Sequence, residues 1–291
     1  MIWGSAFVAQ RVGMDSIEPI TFNAARMALA APAVGLVWLL SGRRKGQDAP
    51  PRSGAERRAR TRSTVLGGVC CGAFLALGSI FQQMGLVTTT AGKAGFLTAM
   101  YILLVPLIGA VFLKKKPAWP VWPAVALGVA GLYLLCMTES LRLGRGDTLV
   151  CVCAVFFACH ILCCDHFVRR GDALGISAIQ FAAAAVISAA AAAVLEEPTW
   201  PKLVSALVPI LYCGLVSDGL GYTLQMVAQK FTDPTVASLL MSLESVFAVI
   251  SGAVLLREQV SARELLGCFV MFAAIILVQL PLPGRRAGTD R

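Results

Sequence analysis

The residue types best suited to chemistry lie close together in one short stretch, CHILCCDH, which runs from Cys159 to His166. It contains three of the ten cysteines, both histidines and an aspartate. On an α-helix Cys159, Cys163 and His166 fall at i, i+4 and i+7, so one face carries three ligand types that bind zinc and other soft metals. A metal carrier or a membrane enzyme built on residues 159–166 is therefore one hypothesis.

A second group of polar residues is spaced through otherwise apolar sequence. Asp218, Tyr222, Gln225 and Gln229 fall at i, i+4, i+7 and i+11, which places them in one polar stripe along a helix. A polar stripe on an apolar helix must face protein or water. The spacing predicts the wall of a cavity or, alternatively, a ladder of hydrogen bonds between helices.

Glu244, in the sequence SLESVF, is the strongest single candidate for a functional group. It lies about ten residues into an apolar run, where a charged side chain costs on the order of 3 kcal/mol unless it is protonated, paired or beside water. Because burial disfavours the ionised form, this position suits proton coupling or cation binding. The alternative is a structural ion pair, for which Arg26 is the candidate partner.

The composition shows what kind of chain carries these residues. Hydrophobic residues make up 57% and charged residues 14%, and the mean hydropathy is +0.76. This is too apolar for a soluble fold and predicts an all-α integral membrane protein. The motifs G-x-S-x-G, H-E-x-x-H, G-x-x-x-x-G-K-[ST] and G-x-G-x-x-G do not occur, which argues against an enzyme and against ATP-driven transport.

The formal net charge of +9 is concentrated in a basic loop rather than spread along the chain. Eight of the 25 basic residues lie between Arg43 and Arg62. This stretch has no aromatic residue that could stack on a base, so we expect contact with anionic lipid and no nucleic-acid partner. The cysteines lie in apolar runs, so we expect no disulfides, and the N-terminal sequence predicts no cleavable signal peptide.

Hydrophobic runs divide the chain into ten predicted membrane segments, of which the first is too short to cross a bilayer alone. They are Met1–Val12, Ile17–Leu40, Thr64–Leu86, Ala94–Leu113, Trp119–Met137, Thr148–Val168, Leu174–Leu195, Leu203–Ala228, Thr235–Leu256 and Glu264–Leu280.

Lysine and arginine are distributed unequally between alternate loops, which predicts the orientation of the chain. With the N-terminus inside, 17 basic residues fall on the cytoplasmic side, seven fall on the outer side, and Arg26 lies within a segment. We therefore expect a multi-pass protein of the cell membrane with both termini in the cytoplasm.

The two halves of the chain resemble each other. Residues 78–113 align without a gap to residues 221–256 at an offset of 143, with nine identities in 36 positions, among them Gln82 with Gln225. Five segments per repeat is an odd number, so the second repeat must enter the membrane from the opposite side. This predicts two inverted repeats, residues 1–138 and 147–282, joined by a loop at 139–146 and followed by a cytoplasmic tail at 283–291.

Several quoted stretches make this chain similar to EamA-type transporters of the drug/metabolite transporter superfamily. They are IWGSAFVAQ, FNAARMALAAP, TTAGKAGFLTAMYILLVPL and SLESVFAVISGAVLLREQVSARELLGC, together with the five-plus-five repeat. The resemblance implies a ten-helix bundle with a central cavity that moves small metabolites, commonly outward, by alternating access. Amino acids and drug-like compounds are the substrate classes considered.

The repeat extends the list of candidate substrate-binding residues. Gln82 is the counterpart of Gln225, and Tyr101 is the counterpart of Glu244, so both pairs are expected to face one site built mainly from the third, fourth, eighth and ninth segments. Trp3 is included although the first segment is short. Gln83 points away from the face of Gln82 and is as much expected to pack against a neighbouring helix.

Two basic residues are candidates for coupling or gating together with Glu244. Arg26 could hold an anionic group of the substrate or extend to the outer interface. Lys93 could anchor the outer end of the fourth segment or gate the outer mouth.

The topology changes the interpretation of CHILCCDH, because it lies in the inner half of the sixth segment. Asp165 would lie near the headgroups, where Arg169 or Arg170 could balance its charge. No metal or other cofactor is expected, and His160 is the member that could reach the cavity and titrate near neutral pH.

Overall fold

The computed structural model describes residues 2–45, 53–89, 91–112, 114, 119, 121–136, 143–247, 250 and 260–279. Within these residues all regular secondary structure is helical. The first half contains α1 (Ile2–Met14), α2 (Pro19–Lys45), α3 (Gly54–Leu86), α4 (Ala91–Ala99), α5 (Tyr101–Phe112) and α6 (Val121–Cys136). The second half contains α7 (Arg145–Val168), α8 (Ala173–Leu195), α9 (Trp200–Ser205), α10 (Leu207–Leu211), a π-helical segment (Tyr212–Tyr222), α11 (Thr223–Gln229), α12 (Pro234–Met241) and α13 (Ala262–Gln279). Residues 243–247 are also helical.

Six stretches of helix in the described residues are long and apolar enough to cross a membrane. They are Pro19–Gly42, Gly54–Leu86, Lys93–Phe112, Arg145–Val168, Ala173–Leu195 and Leu207–Gln229, and two shorter apolar helices are Val121–Leu135 and Pro234–Phe247. The chain is therefore an all-helical, multi-pass membrane protein. Helix lies in each of the ten predicted segments, but the count of ten membrane crossings stays a prediction.

The third helix begins earlier than the sequence predicted. Ser53 and Glu56 form a capping box in which each side chain accepts a hydrogen bond from the other residue's backbone N–H, so α3 begins at Gly54 instead of Thr64. The prediction of a continuous basic loop from Arg43 to Arg62 was therefore wrong at its C-terminal end. Residues 46–52 of that loop lie outside the described residues, as do residues 139–142 of the connecting loop and the tail 283–291.

The second helix of each half packs against the other in antiparallel orientation. Near one end the Glu196 carboxylate accepts hydrogen bonds from the backbone N–H groups of Ile20 and Thr21, at 2.8 and 2.6 Å. Near the other end the Trp38 indole donates to Asp172 at 2.6 Å. The Glu196 contacts also stabilise the N-terminus of α2, where unpaired N–H groups and the helix dipole favour an anion.

The last helix of each half forms a second antiparallel pair. A Cβ atom on Gly128 would meet Ala274, and one on Gly131 would meet Met271 and Gly267, so residue numbers rise along α6 as they fall along α13. A third antiparallel contact joins the halves through α3 and α7, where Gly67 lies against Phe167 and Gly78 against Phe157. Three of these helices carry polar candidates: α2 carries Arg26, α3 carries Gln82 and α7 carries His160.

Candidate functional site

A cavity between the two halves of the chain collects most of the predicted site residues. Its volume is about 50 Å³, enough for roughly three to five water molecules at ~10–15 Å³ each. In the described residues it is lined by Trp3, Phe7, Gln10, Arg26, Gln82, Thr98, Tyr101, Phe157, His160, Ile161, Ser217, Tyr222, Gln225, Met241 and Glu244.

The cavity brings together seven of the eight residues predicted to bind substrate. These are Trp3, Gln82, Tyr101, His160, Tyr222, Gln225 and Glu244, and Arg26 lies beside them. Asp218 does not line the cavity, and neither does Lys93. The cavity walls come from the third, fourth, eighth and ninth predicted segments, with contributions from the first, second and sixth.

Three pairs of lining residues are separated by the offset of the internal repeat. Gln82 and Gln225, Thr98 and Met241, and Tyr101 and Glu244 each differ by 143 in residue number, and all six residues face the cavity. Equivalent positions of the two halves therefore meet at one place in the molecule.

Glu244 lies in this cavity with Tyr101 as its hydrogen-bond partner. The Tyr101 hydroxyl donates to Oε1 of Glu244 at 3.4 Å. In the described part of the chain no basic side chain lies within ion-pair distance of Glu244. The proposed ion pair between Glu244 and Arg26 was therefore wrong, because Arg26 has a different acidic partner.

Arg26 is buried and pairs with Asp218. Its Nη1 lies 3.0 Å from Oδ1 of Asp218, while Nε and Nη2 both donate to the Asn23 side chain at 3.0 and 2.8 Å. The Asn23 amide in turn donates to Ser188 at 2.9 Å. With only 2% of its surface exposed, Arg26 does not extend to the membrane interface, so that alternative was wrong.

The close approach of two backbones makes this ion pair possible. A Cβ atom on Gly214 would lie 2.8 Å from the backbone oxygen of Arg26, so only glycine allows the π-helical segment to lie this close to α2. The segment starts at Tyr212 and carries Asp218, whose side chain is fully buried. Gly214 thus sets the distance across which the buried charges pair.

The residues of the predicted polar stripe have two different roles. Tyr222 and Gln225 face the cavity, as the first interpretation predicted. Asp218 forms an ion pair with Arg26. The Gln229 side chain accepts a hydrogen bond from Gln225 at 3.2 Å and donates one to the Ile161 carbonyl at 3.3 Å. The ends of the stripe therefore hold helices together, as the alternative interpretation predicted.

Tyr222 is the centre of an aromatic cluster beside the cavity. Its ring centroid lies 4.9 Å from Trp3, 5.8 Å from His160 and 6.3 Å from Phe181. The Trp3 indole also donates to the Ser217 carbonyl at 3.2 Å, which fixes α1 against the π-helical segment. The short first helix thus places Trp3 in the site.

His160 reaches the cavity and is held by Gln180 of α8. The two side chains are 3.0 Å apart at His160 Nε2 and Gln180 Oε1, and both residues are almost completely buried. The remaining amide nitrogen of Gln180 has no hydrogen-bond partner among the described residues. Gln180 was not predicted, although a lone glutamine in the alanine-rich sequence ISAIQFAAAAV is the signal that could have found it.

Lys93 lies away from the cavity, in an ion pair that joins the two halves. Its ammonium group is 2.5 Å from Oδ2 of Asp147. The same oxygen accepts a hydrogen bond from the backbone N–H of Gly144 at 2.7 Å, and Oδ1 of Asp147 accepts one from the Thr89 hydroxyl. Only 9% of the Lys93 surface is exposed. Anchoring of the outer end of the fourth segment and gating of the outer mouth both stay predictions for Lys93.

The cysteine and histidine residues of CHILCCDH do not form a metal site. In the described part of the chain no three His, Cys, Asp or Glu side chains lie close enough to hold a metal ion. Cys164 instead lies 3.7 Å from Cys71 of α3, measured between the sulfur atoms, and 3.4 Å from His160 Nε2. Asp165 pairs with Arg169, as the sequence predicted.

The sequence of this chain is similar to those of known transporter families and proteins. The model of the EamA-like transporter family matches residues 1–137 and again residues 144–280. An uncharacterised transporter from Archaeoglobus fulgidus is 28% identical over 280 residues, covering 96% of this chain and 83% of the relative. A probable terminal-alkyne amino-acid exporter from Streptantibioticus cattleyicolor is 23% identical over 294 residues, covering 98% of this chain and 92% of the relative.

Structural comparison agrees at the level of the fold. A protein of known crystal structure superimposes with a TM-score of 0.71 at 17% sequence identity, covering 94% of this chain and 93% of the other. The family match in both halves, the transporter relatives and the apolar helices lead to one conclusion: this chain belongs to the EamA-like transporter family and is a membrane transporter.

Proposed function

We propose that this protein is a secondary transporter that exports small metabolites by alternating access around the cavity between its halves. The observation that carries the proposal is the meeting of repeat-related residues, Tyr101 with Glu244 and Gln82 with Gln225, at a single polar cavity. A site shared by two repeats changes its exposure when one repeat rocks against the other.

The packing of equivalent helices supports an inverted repeat. The second helices of the two halves, α2 and α8, are antiparallel, and so are the last helices, α6 and α13. Equivalent helices must run in opposite directions if the second half enters the membrane from the opposite side. The family model also matches once in each half.

Glu244 is the proposed coupling group. It is the one carboxylate among the described lining residues, and Tyr101 is its hydrogen-bond partner. A carboxylate in a narrow cavity can exchange a proton or bind a cation as the cavity changes sides. The exporter name of the Streptantibioticus relative supports export from the cytoplasm across the cell membrane, and the basic-residue distribution supports the placement of both termini inside.

The deciding experiment is an export assay with a metabolite panel that includes amino acids. Cells that overexpress the protein should accumulate less of the substrate, and cells that lack it should accumulate more. Purified protein in proteoliposomes should move the same compound, and substitution of Glu244 or Gln225 should slow that movement. Unchanged transport in both variants would remove the cavity from the mechanism.

A second function, a metal carrier or membrane enzyme centred on residues 159–166, has no supporting observation. Among the described residues the three candidate ligands of that stretch belong to no metal-binding group, and His166 is exposed beside Arg170. Stoichiometric zinc retained by the purified protein would revive this alternative.

A further inference from the structure

The charges around the cavity do not balance in the described residues. Arg26 is the basic side chain in the lining, and its guanidinium is already occupied by Asp218 and Asn23. Among the described residues the hydrogen-bond partner of Glu244 is the Tyr101 hydroxyl, and no basic side chain lies within ion-pair distance of its carboxylate. With His160 neutral and Glu244 ionised, the described side chains of the lining together with Asp218 carry one negative charge, which a ligand with one positive charge would neutralise.

The surroundings of Glu244 favour an organic cation over a hydrated metal ion. Trp3, Tyr101 and Tyr222 line the same cavity, and the Trp3 and Tyr222 rings lie 4.9 Å apart. Aromatic faces attract ammonium groups within about 6 Å of the ring centroid. A divalent cation would need several oxygen ligands, and no cluster of that kind occurs in the described part of the chain.

A larger apolar cavity adjoins the first one at Glu244. Its volume is about 360 Å³, and it shares Trp3, Met241 and Glu244 with the polar cavity. Its other described lining residues are apolar or glycine: Ile2, Gly221, Leu224, Leu240, Leu243 and Phe247. Glu244 therefore stands at the boundary between a small polar space and a larger apolar one.

We propose that this site recognises an amphiphilic amine, with its ammonium group at Glu244 and the aromatic rings and its apolar tail in the adjoining cavity. This inference rests on the proposed transport function of the cavity and names the substrate class. Because the Arg26 guanidinium is already paired, a carboxylate on the ligand gains no free cation and adds no affinity.

The test is a matched series of probes: the straight-chain amines ethylamine, butylamine and hexylamine, and the carboxylates of the same chain lengths. Binding is measured by titration calorimetry on the full chain in detergent, with detergent alone as the blank. Amines should bind with affinity rising about three- to fourfold for each added methylene, and the carboxylates should not bind measurably.

Two pairs of variants separate the head group from the tail. Glu244→Gln should weaken hexylamine binding about 10- to 100-fold, since it removes a charge-assisted hydrogen bond, while Glu197→Gln, at an exposed carboxylate, should leave it unchanged. Leu224→Trp, which fills the apolar cavity, should abolish the rise in binding affinity with the length of the alkyl chain. Val227→Trp, on the same helix but outside that lining, should preserve it.

The outcomes for the inference and for the proposed function are distinguishable. Equal binding of carboxylates and amines, no binding of any amine to the wild-type protein, or an unchanged affinity in Glu244→Gln would overturn the inference. A chain-length effect that persists in Leu224→Trp would overturn the placement of the tail. If amines bind as expected but proteoliposomes move no compound of the metabolite panel, the inference stands and the transport proposal fails.

Discussion

The Tyr101 hydroxyl donates a hydrogen bond to Glu244 across 3.4 Å, and the two residues are separated in sequence by the 143 positions that relate the repeats. The aligned position is thus a phenol in one half and a carboxylate in the other. The pair is asymmetric, so only one half carries the proposed coupling charge.

The first prediction concerns this pair. Glu244→Gln keeps the size of the side chain but removes its charge, so transport in proteoliposomes should fall by two orders of magnitude or more. Tyr101→Phe removes one long hydrogen bond and should reduce the transport rate only about two- to fivefold, as expected for roughly 0.5–1 kcal/mol. Equal effects of the two substitutions would argue that the charge of Glu244 contributes no more to transport than its hydrogen bond with Tyr101.

The second prediction concerns the Arg26–Asp218 ion pair, whose side chains are 3% and 0% exposed. Asp218→Asn leaves the arginine charge buried without its counter-charge and should lower the free energy of unfolding by about 3–5 kcal/mol. The double variant Arg26→Gln/Asp218→Asn should recover at least half of that loss. Thermal unfolding in detergent measures both.

An exposed ion pair provides the control for that prediction. Arg60 and Asp172 lie 3.7 Å apart, with side chains 37% and 26% exposed. Arg60→Ala should change the free energy of unfolding by less than about 1 kcal/mol. A loss in Asp218→Asn no larger than that in Arg60→Ala would show that the buried pair contributes little.

The third prediction uses two adjacent glutamines. Gln82 faces the cavity, where its amide lies 3.2 Å from the Thr98 hydroxyl, whereas Gln83 donates to Gln10 of α1 at 2.6 Å. Gln82→Leu should raise the KM for transport and leave the stability nearly unchanged. Gln83→Leu should lower the free energy of unfolding by about 1–3 kcal/mol, because the Gln10 oxygen is left buried without a donor.

The opposite assignment would be visible in the same two measurements. If Gln83→Leu changed KM at constant stability, the glutamine that contacts the substrate would be Gln83. The assignment of Gln82 to the cavity wall would then be wrong.

The fourth prediction concerns Gly214, where a Cβ atom would lie 2.8 Å from the Arg26 carbonyl oxygen. Gly214→Leu should force the π-helical segment away from α2, break the Arg26–Asp218 pair and lower the unfolding temperature strongly. Gly35→Leu on α2 is the matched control, since nothing lies within 4 Å of the added Cβ atom there. If both variants unfold at the same temperature, the close approach at Gly214 is not needed for stability.

The fifth prediction concerns pH and the ion pair between Glu18 and Lys202, which lies outside the six helices that are long and apolar enough to cross a membrane. The hydrogen bond donated by Lys202 lowers the pKa of Glu18 below its ordinary value of 4.5. The stabilisation is therefore fully present above that ordinary value and is lost as the pH falls through the lower pKa of the folded state.

The size of this effect is limited by exposure, since about a third of each side chain is accessible. We expect less than about 1 kcal/mol, measured as the difference in unfolding free energy between pH 7 and pH 3 for wild type and Glu18→Gln. Identical pH profiles for the two proteins would contradict the prediction.

The sequence by itself determined the class of protein and identified most residues of the candidate site. Apolar composition and segment length require helices in a membrane, because backbone polar groups there must be satisfied within each segment. The offset of 143 linked Gln82 to Gln225 and Tyr101 to Glu244, and the cost of polar groups in hydrocarbon marked the same residues as candidates.

Only the tertiary structure decided which polar groups are partners. Sequence distance does not show that Arg26 meets Asp218 instead of Glu244, because that choice depends on the close approach of α2 and the π-helical segment at Gly214. It also does not show that Gln180 holds His160, or that Glu244 borders an apolar cavity. Side chains on separate helices are brought together by packing, and packing depends on the shapes of all neighbouring residues at once.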